Sequence, residues 1–154
     1  MGIRRRGREL AFQVLYQMDL GSTTLDYALA HFIDLKIAQA KACDFAVNLA
    51  SGAAAHLDEI DAQIKLLSKN WDFKRLSSVD RALLRLGVYE LAYCPEIPAE
   101  VTLNECIELA KSYGTDESAA FVNGILDQVR RDRGEHKKSG KDRPAPKPRA
   151  AKKK

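Results

Sequence analysis

Four arginines stand at the head of the chain, Arg4, Arg5, Arg6 and Arg8, with Gly7 set among them. A guanidinium group offers a planar fork of donors that fits a phosphate and also stacks on an unpaired base. Just downstream, Glu9, Gln13, Tyr16 and Gln17 add a ring and hydrogen-bonding groups on the same expected helix. Arginine, aromatic and amide side chains together suit single-stranded RNA. A frayed, soluble N-terminus with Tyr16 partly buried accounts for the same residues, and both readings stand. A second candidate is the stretch from Lys111 through Tyr113, Gly114 and Glu117 to Ser118. It joins two expected helices, and the free N–H groups of a helix start can hold a phosphate or a base edge. Taken alone, it is also an ordinary helix–glycine–helix corner.

Catalytic chemistry finds little support. His31, His56 and His136 are scattered and have no metal-ligand spacing. There is no phosphate-cradling glycine loop and no nucleophile elbow. Glu105 and Glu108 lie three apart, the spacing of a solvated helix face. Cys43, Cys94 and Cys106 are odd in number and unpatterned, which reads as reduced thiols. The expectation is a binding protein without cofactor or metal, not an enzyme.

The elements that must position these residues are helical. Ser77–Tyr93 reads as the central helix, with Ser77 and Asp80 at its N-terminus. Its apolar residues cover nearly the whole circumference and leave only a thin polar strip of Arg81, Arg85 and Glu90. A helix apolar nearly all round is surrounded by others. Gly87 inside it is expected to let a neighbour approach closely, and Pro95 and Pro98 end it. Before it come helices over about Arg8–Leu20 and Leu25–Ile37, then a long pattern over Ala38–Leu67 that Ser51 and Gly52 could kink. Residues 70–76 read as a short link, with Trp71 and Phe73 packed on the core or forming a partner patch. After it come Ala99–Tyr113, stopped by Gly114, and a last helix from Thr115 or Asp116 to about Arg131. The fold class is all-α with six or seven helices, and no strand pattern competes.

The chain has 154 residues, 45% of them hydrophobic, and a net charge of +4. The charge is unevenly placed. Residues 130–154 hold twelve Lys/Arg against three Asp/Glu, and the stretch between the basic ends, 9–129, holds nine against eighteen. Basic ends suit a polyanion, and an acidic body suits a basic partner. Residues 134–154, with three prolines and almost no aliphatic side chain beyond alanine, read as a disordered basic tail. The rest, 1–133, reads as one domain of two halves, about 1–70 and 71–133. No stretch reaches membrane-spanning length and no signal peptide is apparent, so a cytosolic, cytoplasmic location is expected.

Three blocks, RRRGRELAFQVLYQMDL, SSVDRALLRLGVYEL and TLNECIELAKSYGTDESAAFVNGILD, resemble the NusB family of bacterial transcription antitermination factors. The resemblance runs in consistent order over roughly residues 4–130. It implies two packed three-helix bundles and a non-enzymatic role. It further implies binding of the single-stranded boxA element of ribosomal RNA leaders, together with the ribosomal protein NusE. That assembly joins RNA polymerase elongation complexes through other Nus factors, sustaining transcription and maturation of ribosomal RNA. Carried over by position, the RNA-contacting residues are Arg4, Arg5, Arg6, Arg8, Tyr16, Lys111, Tyr113 and Glu117. The NusE side falls on Asp80, Arg81, Arg85 and Glu90. Two alternatives accompany it: a stand-alone relative of the RNA-binding part of ribosomal RNA cytosine methyltransferases, and an oligomeric scaffold, since some relatives form homodimers. The basic tail departs from the family pattern and could bind RNA without sequence preference.

Overall fold

Ser77 does cap the central helix. In the computed structural model, which describes residues 2–33, 40–68 and 72–139, Ser77 Oγ accepts a hydrogen bond from the Asp80 N–H at 3.0 Å. Such a cap satisfies one of the orphan N–H groups of a helix start and is worth about 1 kcal/mol. Seven α-helices are present among the described residues: α1 Ile3–Gly21, α2 Leu25–Ile33, α3 Ala40–Ala55, α4 Leu57–Leu67, α5 Ser78–Tyr93, α6 Ala99–Tyr113 and α7 Ser118–Ser139. A 3-10 turn over Phe73–Arg75 leads into α5.

Helix α5 is the hub. Ala82, Leu83, Leu84, Leu86 and Val88 are buried, and α1, α3, α4, α6 and α7 all pack on it. Helices α1, α2 and α3 form one bundle and α5, α6 and α7 the other, with one continuous core running through both. Gly87 faces α7, where an added Cβ would come within 2.5 Å of a Leu126 methyl group. Cys94 and Cys106 are buried free thiols, and burial pushes Cys94 up to about 12.

Several boundaries differ from the sequence reading. Helix α1 begins at Ile3, because its arginines are good helix formers and Gly2 in extended conformation starts the helix. The long pattern after residue 38 breaks at His56, whose φ of −113° and ψ of 24° leave the helical region. Gly52 lies inside α3 and serves packing instead: a Cβ there would meet Tyr89 Oη at 2.0 Å. Helix α7 continues to Ser139, past the expected end near Arg131 and into the stretch assigned to the tail. Asp127 paired with Arg130 and Arg131, and Gln128 bonded to Asp132, support that extension. The remaining tail, Trp71 and the expected end of α2 at Ile37 lie outside the described residues.

Candidate nucleic-acid interface

Helix α1 runs antiparallel to α5, with Arg8 meeting Glu90 near one end and Asp19 meeting Arg81 near the other. Helix α6 folds back along α5, so α1 and α6 run side by side in the same direction. The arginine-rich start of α1 therefore meets the body of α6, and the next turns meet its end. Arg5 Nε and Nη2 donate to the two Glu105 carboxylate oxygens, each at 2.9 Å. Arg6 Nη1 donates to Glu9 Oε1 at 2.8 Å. The other Glu9 oxygen accepts from Tyr113 Oη at 2.6 Å, and Gln13 Nε2 donates to the same hydroxyl at 3.1 Å. The Tyr113 ring lies 5.0 Å from Phe12, which in turn lies 6.0 Å from Tyr16. The two stretches singled out in the sequence thus form one face.

Gly7 seats this face. A Cβ there would fall 2.6 Å from the Phe45 ring and 3.0 Å from the Ala42 carbonyl oxygen, so α1 touches α3 backbone to side chain. The Arg4 guanidinium lies 5.0 Å from the Phe45 ring centroid. Among the described residues Arg4 has no carboxylate partner, and it is exposed. Lys111 sits at the rim, 3.7 Å from Glu108, with Tyr113 and Glu117 also exposed. Thr115 N–H donates to the buried Ser118 Oγ at 3.0 Å, which locks the corner between α6 and α7.

The electrostatics follow from these pairs. The hydrogen bond and charge of Arg5 hold the Glu105 carboxyl below its ordinary value. Burial, reinforced by the Glu9 carboxylate, pushes the Tyr113 hydroxyl up, so it remains a donor at neutral pH.

Arg8 does not belong to the surface set. It is 2% exposed, and its Nε donates to Glu90 Oε2 at 2.7 Å inside the core. Thr102 Oγ1 donates to the other Glu90 oxygen at 2.7 Å, joining α1, α5 and α6 at one point. Arg8 falls inward because it heads the stripe continued by Ala11, Phe12 and Leu15, all buried. Glu9, Gln13 and Glu105 are the residues the site reading left out of its set. Their polar types and helical spacing were visible, but the register between α1 and α6 was not.

The sequence model of the NusB family matches residues 5–131. A transcription antitermination protein NusB from Myxococcus xanthus is 45% identical over 133 residues, covering 84% of this chain and 95% of that protein. The chain belongs to the NusB family. Among solved structures, T. maritima NusB superposes with a TM-score of 0.78 at 40% identity, covering 84% of this chain and 91% of that one. The antitermination factor NusB in a crystal structure with NusE and double-stranded RNA superposes with a TM-score of 0.77 at 30% identity. It covers 84% of this chain and 97% of that chain.

In this NusB-family chain the polar strip of α5 is not a free surface. Glu90 is fully buried against Arg8 and Thr102, so it cannot touch a partner protein. Arg81 Nε and Nη2 clasp Asp19 at 3.0 and 2.9 Å, and its Nη1 donates to the carbonyl oxygens of Phe73 and Leu76. Arg85 clasps Asp61 at 2.8 and 2.9 Å and also reaches Asp19. Both guanidinium groups lie over the Phe73 ring. Burial pushes the Asp19 carboxyl up, but the hydrogen bonds of Arg81 and Ser78 and the charges of Arg81 and Arg85 outweigh it and hold the group below its ordinary value. The strip is a clasp tying α1, α4 and the 3-10 turn to α5. Asp80, half-buried at the first turn of α5, is left as its outer member. No helix among the described residues is long and apolar enough to cross a membrane.

Proposed function

We propose that this chain is an antitermination factor that binds boxA-type single-stranded RNA of ribosomal RNA leaders on the α1–α6 face, together with NusE. The observation that supports it is the meeting of Arg5 and Arg6 of α1, through Glu105 and Glu9, with α6 and its Tyr113; Arg4 is exposed over the Phe45 ring of α3, and Lys111 is exposed two residues before Tyr113. In this reading Arg4, Arg5 and Arg6 hold phosphates, and Tyr113, with Tyr16 behind it, flanks or stacks on bases. Lys111 and Glu117 fix the strand at the corner before α7. Arg8 acts from beneath by setting the position of α1. The solved relative in complex with NusE and RNA supports both partners in kind.

NusE, as a basic ribosomal protein, would meet the acidic body of the chain near Asp80, above the Arg81 and Arg85 clasp. The joint complex would then act on RNA polymerase through other Nus factors. A homodimer covering the RNA face would mask this activity, and a mass measurement in solution separates monomer from dimer.

Fluorescence anisotropy with a boxA-type RNA, a scrambled RNA and a duplex of equal length tests the reading, each with and without NusE. The expected result is a preference for the boxA strand that sharpens when NusE is added. Equal binding to all three, unaffected by NusE, would contradict it.

A further inference from the structure

The arginines of the proposed RNA face are already engaged. Arg5 gives both donors of its Nε/Nη2 edge to Glu105, and Arg6 gives its Nη1 alone to Glu9, whose second oxygen is held by Tyr113. The Arg5 side chain is 53% exposed and that of Glu105 only 18%, so the carboxylate lies beneath the guanidinium, between it and α6. Each edge of a guanidinium serves one planar anion at a time in bidentate fashion, and Glu105 fills the Nε/Nη2 edge of Arg5. A phosphate taken on that edge of Arg5 therefore takes the place of Glu105, and Glu9 competes with phosphate for the Nη1 donor of Arg6.

We propose that Glu105, with Glu9, is a specificity-determining residue: an internal competitor for phosphate that RNA must displace. The proposal rests on the RNA-binding reading of this face. Once displaced, Glu105 is an acceptor with no donor and Glu9 keeps only the Tyr113 hydroxyl, both lying close to a polyanion. A base that presents an amino or imino N–H at that point satisfies it, since carboxylates accept from such groups. The exchange is then complete, with arginine on phosphate and glutamate on base. A strand that presents a carbonyl oxygen there leaves the carboxylate facing unpaired negative charge. The same pairs so weaken binding of arbitrary polyanions and favour strands carrying a donor at the right step. Arg4, which has no carboxylate partner among the described residues, is the open point of first contact.

The test uses the full chain carrying Glu105→Gln, which keeps the shape and removes the charge, beside an Arg5→Ala chain. Anisotropy with boxA-type and scrambled RNA is measured over a range of salt, with thermal melting confirming that both variants fold. Glu105→Gln is expected to tighten scrambled RNA by up to about fivefold, the size of a released surface ion pair. It should also steepen that log–log salt slope by about 0.7, one further phosphate on a single strand. The ratio of boxA to scrambled affinity shrinks accordingly. Scrambled RNA binding that is unchanged or weaker in Glu105→Gln, while Arg5→Ala loses affinity, would overturn the competitor role alone. Arg5→Ala with unaltered affinity and slope for both RNAs would overturn the RNA face and the competitor with it.

Discussion

Arg8 and Glu90 form a charge pair removed from solvent, and its energetics differ from those of the exposed pairs a few ångströms away. Deleting one partner leaves the other charge buried, which costs about 3–5 kcal/mol, whereas replacing both with apolar side chains is often neutral. Glu90→Gln or Arg8→Met is therefore expected to lower the urea midpoint sharply, and the double Arg8→Met, Glu90→Leu chain to recover much of the loss. A single variant with wild-type stability would mean the pair is not internal. At this scale the sequence was half legible. Arg8 looks like Arg4, Arg5 and Arg6 as a residue type, and only its phase with Ala11 and Leu15 separates it. Glu90 read as one member of the thin polar strip of α5, because the partner that buries it lies 82 positions away.

At the scale of the element, the helices read well where local chemistry punctuates them. Pro98 and Gly114 delimit α6 as expected, and Ser77 starts α5. The sequence left the outcome open where a residue answers to a distant neighbour: Gly52 could kink or split the helical pattern, and in the fold it makes room for Tyr89 inside α3. Leu86 lies in the centre of α5 with no exposure, so Leu86→Ala should cost about 2–5 kcal/mol. Chemical denaturation measures this, and a change near zero would place α5 at the surface. Gly7→Ala forces Phe45 and the Ala42 carbonyl away from α1, an overpacking expected to cost about 1–3 kcal/mol. Because α1 carries the arginines, that variant should also lose RNA affinity, in contrast to Leu86→Ala assayed below its melting point.

Across the whole molecule, the clasp of Asp19 with Arg81 and Arg85 links stability to pH. The folded Asp19 carboxyl sits below its ordinary value of 3.8, so the unfolded chain binds more protons between the two values. Its contribution is full above about pH 4 and is lost as pH falls through the folded value. Glu105, held down by Arg5, acts in the same direction. Denaturation midpoints should therefore be steady from pH 7 to 5 and drop below about 4, and Asp19→Asn should be weaker at pH 7 with a shallower acid decline. An Asp19→Asn chain that keeps the full decline would assign the effect elsewhere. The meeting of α1 with α6, which makes the RNA face, belongs to this scale and was not legible locally. Residue types marked the two stretches separately, and the antiparallel course of α1 along α5 explains why they converge.

The most direct measurement is the salt dependence of boxA-type RNA binding by the full chain and by its Arg4→Ala, Arg5→Ala, Arg6→Ala triple variant. The basic residues beyond Ser139 contribute equally to both, so the difference in slope isolates the face. Three phosphates released at about 0.7 each predict a log–log slope shallower by about 2 in the variant. Adding Arg8→Met should change the slope no further, since Arg8 is buried. An unchanged slope in the triple variant would contradict the assignment of this face to RNA.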